Sequence, residues 1–106
     1  MADWVDVARV GEIADGAHAI AEIDDTRIAV FNLGGEYFAI EDVCTHDYEC
    51  LTGGDVEGDV IVCPRHGARF SIRTGAALSA PAYEPTATFP VQVAGETIQV
   101  RDARWD

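Results

Sequence analysis

Two glycines in succession, Gly34-Gly35, separate the apolar-rich runs RIAVFNL (27–33) and EYFAIE (36–41). No other feature constrains the fold as much. A Gly-Gly pair between β-favouring runs signals a tight hairpin, because the turns that match strand twist need positive φ at their centre. The pattern recurs along the chain. WVDVARV (4–10) offers β-favouring bulk in Trp4, Val5 and Val7; AHAIAEI (17–23) alternates, and Asp24-Asp25 makes the turn into the next run. DVIVC (59–63), RFSIR (69–73), ATFPVQV (87–93) and TIQVR (97–101) follow, the last two joined by Ala94-Gly95-Glu96. Only VGEIADG (10–16) hints at a helical turn, and no stretch sustains the helical apolar period. Short strands with turn signals every 8 to 12 residues or so specify an all-β, antiparallel sandwich or barrel. Pro90, which lacks an N–H for a ladder, marks an edge or a bulge in its strand.

A chain of 106 residues suits a single domain, and 48% apolar residues suffice for an ordinary core. Nineteen acidic residues stand against seven basic ones, all arginine, for a formal charge of -12. Such a surface repels phosphate backbones and anionic lipid, so binding to nucleic acid or to a membrane surface is not expected. It suits transient docking on basic patches of partner proteins. The start, MADWVDVARVGEIADG, has no basic, apolar signal-like run, and no segment is apolar enough to span a bilayer. The expected location is the cytoplasm, where thiols stay reduced and cysteines act more often as ligands than as staples. Three cysteines, an odd number, also argue against a disulfide framework.

The chemistry gathers in the middle, where residues 43 to 82 are richer in Gly, Cys, His and turns than either flank. Cys44-Thr45-His46 is followed, after sixteen intervening residues, by Cys63-Pro64-Arg65-His66. Residues two apart on an extended strand share a face, so C-x-H can aim both side chains at one centre. C-x-x-H does the same around a tight turn, which Pro64 and Gly67 help to shape. Buried thiols with satisfied histidines are the plain alternative, and a tetrahedral zinc site with two cysteines and two histidines is another. Zinc fingers, however, keep like ligands together, whereas each loop here holds one cysteine and one histidine in the same order. That order fits a two-iron centre best, with each loop giving one ligand to each metal.

With these motifs the chain resembles a known family. C-T-H, then C-P-x-H-G, a Phe, Thr74-Gly75 and Pro81 are similar to the Rieske ferredoxins of bacterial ring-hydroxylating dioxygenase systems, over nearly the whole length. The resemblance implies one [2Fe-2S] cluster, with Cys44 and Cys63 on the inner iron and His46 and His66 on the outer, more exposed one. It implies a Rieske-type β-sandwich with a small inserted cluster-binding subdomain. The basal part would be 1–42 and 83–106, the cluster-binding part 43–82, and a third loop containing Pro81 would cover the cluster. It also implies a one-electron carrier, not an enzyme in itself, serving aromatic hydrocarbon catabolism. The expected partners are a flavin-dependent NAD(P)H reductase and a terminal oxygenase, with the carrier a monomer. A small Rieske-fold subunit of a nitrite reductase is the alternative; the complete ligand set speaks against it.

Departures narrow the type. High-potential respiratory Rieske proteins resemble C-T-H-L-G-C and C-P-C-H-G-S-x-Y, with a disulfide between the loops. Arg65 stands where the second of those cysteines would be, so that bridge is impossible. Ala68 and Phe70 replace the serine and tyrosine that donate hydrogen bonds toward the cluster sulfurs, which places the potential at the low end of the Rieske range of roughly -150 to +300 mV. Cys50 reads as an unpaired buried thiol, and His18 as exposed rather than a ligand. Trp4, Phe31, Tyr37, Phe38, Phe70 and Phe89 read as core or inter-sheet packing, with Trp105 capping the sandwich. Asp42, Asp47 and Glu49 read as solvated, and Arg65 and Arg69 as giving the tip mixed charge.

Overall fold

The computed structural model describes residues 4–45, 50–65 and 67–104. Ten strands run in chain order: β1 (Val5–Arg9), β2 (His18–Ile23), β3 (Thr26–Leu33), β4 (Glu36–Glu41), β5 (Val56–Glu57), β6 (Val60–Val62), β7 (Arg69–Ser71), β8 (Thr88–Phe89), β9 (Val91–Ala94) and β10 (Thr97–Val100). They form three antiparallel sheets, β1-β10-β9, β2-β3-β4-β8 and β5-β6-β7. No helix occurs among the described residues, and none is therefore long and apolar enough to cross a membrane.

The hairpins sit where the turn residues put them. Asp24 and Asp25 adopt positive φ (49° and 66°) between β2 and β3, a conformation that Asp tolerates better than most side chains. The pairing of β3 with β4 runs from Ile28↔Glu41 to Leu33↔Glu36, so Gly34-Gly35 is the two-residue connection that the sequence specifies. Residues 10–16 form successive turns, with the Glu12 N–H donating to the Arg9 carbonyl at 3.0 Å, and not a helical segment.

The four-stranded sheet is the middle layer, and β3 shows why. Ile28, Ala29, Val30 and Phe31 are all buried, because both faces of the strand are covered. Ile28 and Val30 join Ala39, Ile98 and Val100 in one core, against β1-β10-β9. Ala29, Phe31, Leu33 and Ile40 join Cys44, Leu51, Ile61, Cys63, Phe70 and Ile72 in a second core, on the opposite face. A strand covered on both sides reads as a continuous apolar run rather than a strict alternation.

Two elements differ from the sequence reading. The run 87–93 is split at Pro90: β8 pairs with β4, β9 pairs with β10, and the chain changes sheets between them. The missing N–H of proline makes that the least costly place for both ladders to stop. The short strand β5 gives no periodic signal of its own, being only two residues held opposite β6. Among the aromatic residues, Phe31, Phe70 and Phe89 are buried and Tyr37 and Phe38 half-buried. Trp4 corrects the expectation of core packing: it is 36% exposed, with the Arg101 guanidinium 5.5 Å from its ring centre. Trp105 lies outside the described residues.

Candidate metal centre

Cys44 lies three residues beyond the end of β4, and Cys63 directly follows β6. The two are 0% and 1% exposed and belong to the same cluster of buried side chains, walled by Leu51, Ala68, Phe70 and Ala82. His46 and His66 fall outside the described residues, as do Asp47 and Glu49.

Each loop is held by specific bonds. The second is closed by the Cys63 N–H donating to the Ala68 carbonyl (2.7 Å) and by the Gly67 N–H donating back to the Cys63 carbonyl (3.0 Å). This tight turn lets β6 and β7 continue as neighbours across the second loop. The first loop leaves β4 at Asp42 and is tied at its far end by Thr52. The Thr52 N–H donates to Asp42 Oδ1 (2.8 Å), and the Thr52 hydroxyl donates to Oδ2 (2.6 Å). Arg27 Nε donates to the same Oδ2 at 2.7 Å, and the Asp42 N–H donates to the Arg27 carbonyl at 2.8 Å.

Asp42 is therefore not solvated, as the sequence reading had it; it is 4% exposed. Burial pushes its carboxyl up. The hydrogen bonds from the Thr52 hydroxyl, from Arg27 and from the Thr52 N–H outweigh burial and hold it below the usual carboxylate range. Sequence reasoning missed this residue because its partners are ten and fifteen positions away.

A third segment completes the arrangement. Residues 76–79 lie along β7, with the Leu78 N–H donating to the Arg69 carbonyl (2.7 Å) and the Arg69 N–H to the Ser79 hydroxyl (3.1 Å). The Ala80-Pro81 peptide is cis. Beyond it the Thr45 hydroxyl donates to the Glu84 carbonyl at 2.7 Å, which joins the segment to the first loop beside Cys44. Its exit is fixed at Thr86, whose N–H donates to the Gly75 carbonyl (2.8 Å) and whose hydroxyl donates to the Glu41 carbonyl (3.0 Å). Glu41 and Asp42 at the end of β4 thus anchor both the first loop and the Pro81 segment.

The remaining expectations divide. Cys50 is exposed and takes part in no disulfide, so its reading as a buried thiol is corrected. Its apolar neighbour Leu51 takes the buried place instead. His18 is exposed, as expected, with its ring tilted against Phe31 at 5.6 Å. Ala68 and Phe70 are completely buried. Arg69 pairs with Glu57, while Arg65 is exposed on the second loop.

The donor set fits an iron–sulfur group: two thiol side chains withdrawn from water in an apolar cluster, on two loops each tied at its base. Fold and donor chemistry together define a small β-built metal-centre domain. The model of the Rieske [2Fe-2S] domain matches residues 3–90, and the chain belongs to that family. It is 35% identical to the biphenyl dioxygenase ferredoxin subunit of Pseudomonas sp. (strain KKS102), across 90% of this chain and 88% of that one. It is 32% identical to the ferredoxin component of the naphthalene 1,2-dioxygenase system of Pseudomonas aeruginosa, across 92% and 93%. Among solved structures, a chain in the complex of reduced oxygenase and oxidized ferredoxin of carbazole 1,9a-dioxygenase superposes with a TM-score of 0.87. That pair shares 33% identity over 92% of this chain and 91% of the other. A structure assigned to a nitrite reductase small subunit of Mycobacterium tuberculosis also superposes, with a TM-score of 0.85. At 21% identity that likeness shows the fold alone.

Proposed function

We propose that this chain is the ferredoxin component of a ring-hydroxylating dioxygenase system, a one-electron carrier and not itself an oxygenase. The observation that carries the reading is the family match over residues 3–90, joined to ferredoxin relatives at or above 32% identity across nine-tenths of the chain. When bound, the [2Fe-2S] group supplies storage for one electron at a potential raised by histidine ligation. We assign Cys44 and Cys63 to one iron and His46 and His66 to the other. Burial of both cysteines in one apolar cluster supports this division, since buried thiolates are shielded from oxidation and hydrolysis while the histidines serve the exposed edge. Residues 43–82 form the cluster-binding part and 1–42 with 83–106 the basal part. The separate β5-β6-β7 sheet and the anchoring of its loops on Glu41 and Asp42 favour that boundary.

Electrons enter from a flavin-dependent NAD(P)H reductase and leave to a terminal oxygenase acting on an aromatic substrate, in the cytoplasm, with the carrier monomeric. The third segment supports docking at this end of the molecule. Leu78 and Tyr83 are 52% and 84% exposed, and Tyr83 precedes the Glu84 carbonyl that holds Thr45. An exposed aromatic and an exposed leucine beside the electron's exit give a partner apolar contact where the rest of the surface is strongly acidic. The test is reconstitution: a dioxygenase reductase, a terminal oxygenase and NADH, with and without this protein. Product formation that depends on it, and is abolished by Cys63→Ser, supports the reading. Full oxygenase turnover in its absence sinks it.

A further inference from the structure

We infer that Asp42 and Arg27 form a positioning pair that closes the neck of the first ligand loop and sets the carrier's potential through their opposite charges. The inference rests on the ligand assignment above.

Asp42 takes three hydrogen bonds from two other parts of the chain: two from Thr52, where the loop returns, and one from Arg27 on β3. Its side chain is 0% exposed, whereas that of Arg27 is 45% exposed. The bonds make the loop from 43 to 51 a closed ring whose two ends cannot separate without breaking them. Cys44 follows only two residues on, so its Cα lies within about 7 Å of the Asp42 Cα, whatever the backbone conformation. Glu41, the residue before Asp42, also ties the Pro81 segment, its carbonyl accepting from the Thr86 hydroxyl.

Charge at this place has consequences beyond shape. Asp42 holds a carboxylate shielded from water, two residues before the ligand Cys44 in the chain. Charges in a protein interior interact several times more strongly than they do in water. A fixed negative charge disfavours the reduced state, which carries one more negative charge than the oxidised state. Arg27 acts in the opposite sense. The two should therefore be separable, because removing each changes the local charge in a different direction while both substitutions loosen the same neck.

The test uses the full chain with its cluster, at pH 8, comparing wild type with Asp42→Asn and Arg27→Gln. Protein-film voltammetry reads the midpoint and EPR reads the integrity of the centre. Asp42→Asn keeps an acceptor for the Thr52 N–H and removes the charge, so the midpoint shifts to more positive values. Arg27→Gln shifts it to more negative values, and Asp42→Glu restores the wild-type sign of charge and reverses most of the Asp42→Asn shift. A purely structural neck would shift both variants the same way or neither, with the EPR signal broadened in parallel. Unchanged midpoints, or shifts of the same sign, in variants whose centre is intact overturn the inference. If Asp42→Asn fails to hold the cluster, the sign for Arg27→Gln alone decides. A wild-type protein without a Rieske signal would instead contradict the ligand assignment, a distinct failure.

Discussion

Ala68 and Phe70 show how much a missing hydroxyl can decide. Both are completely buried beside the second loop, and neither side chain can donate a hydrogen bond. A reduced cluster gains more from a donated hydrogen bond than an oxidised one, because it carries one more negative charge. Hydrogen bonds to charged groups are worth about 1.5–3 kcal/mol, and only the difference between redox states moves the potential, at roughly 59 mV per 1.4 kcal/mol. The expected wild-type midpoint is about -150 mV at pH 7. Ala68→Ser and Phe70→Tyr should each raise it by some tens of millivolts, and the double variant by more. Voltammetry on the three proteins checks this; a double variant with an intact cluster and an unmoved midpoint refutes it. Asp102 yields a prediction of another kind. The hydrogen bond from Arg104 (2.8 Å to Oδ2) holds its carboxyl below the usual range, with burial opposing and the Arg104 charge assisting. A depressed folded pKa stabilises the protein above the unfolded value near ~3.9, and that contribution is lost as pH falls through the folded value. Asp42 acts in the same direction. Stability measured by urea denaturation should therefore hold on the acid side down to about pH 4 and fall below it, with Asp102→Asn showing a shallower fall. Equal slopes for the two proteins would remove Asp102 from the account.

The loops that frame the site depend on close backbone approach as much as on side chains. A Cβ at Gly54 would be driven into the Val62 carbonyl oxygen, one residue before Cys63, and a Cβ at Gly75, where φ is +76°, would meet the Thr86 carbonyl oxygen. Gly54 lets the exit of the first loop lie against the strand that leads into the second, so the two ligand loops share one support. Gly54→Ala should cost about 1–3 kcal/mol in thermal or urea unfolding, as overpacking does, and reduce the iron content of the purified protein. Asp55→Asn, next to it and exposed, should change stability by less than about 0.5 kcal/mol. Equal stabilities for Gly54→Ala and Asp55→Asn would show that the approach is not needed. At this scale the sequence is legible wherever the signal is local. The hairpins at Asp24-Asp25 and Gly34-Gly35, and the interruption at Pro90, follow from backbone chemistry confined to a few residues. The Asp42 bonds are not local, and an aspartate beside a polar loop reads as solvated until Arg27 and Thr52 are brought to it. Cys50 misleads in the opposite way: thiols are usually buried, but here Leu51 occupies the core and the cysteine is left outside. Trp4 stands just before β1 and stays exposed under the Arg101 guanidinium, while Ile98 and Val100 take the buried places of that core.

Across the whole molecule, one middle sheet serves two cores, and this divides the labour of the fold. The face carrying Ile28 and Val30 packs on β1-β10-β9, and the face carrying Ala29 and Phe31 packs on the ligand loops. The paired Cys-His motifs announced the chemistry because four rare residues stood in repeated order. The double coverage of the sheet was visible only as the unbroken apolar run IAVF, which a two-layer reading does not demand. The charge of -12 belongs to this scale as well. Fields from exposed charges are screened within about 8 Å at 0.15 M salt, so electron transfer to a basic partner surface should slow steadily as salt is added. Stopped-flow rates across a salt series check this, and rates that stay flat or rise would exclude electrostatic steering. The central claim is that Cys44 and Cys63 bind one iron and His46 and His66 the other, in a centre of two irons and two sulfides. The most direct measurement is iron, zinc and labile-sulfide analysis of anaerobically purified protein, joined to pulsed EPR of the reduced state on wild type, His46→Cys and His66→Cys. The account predicts about two irons and two sulfides per chain, no tightly bound zinc, and two nitrogen couplings of which each variant loses one. One zinc per chain with no sulfide, or nitrogen couplings unaffected by either substitution, would contradict it.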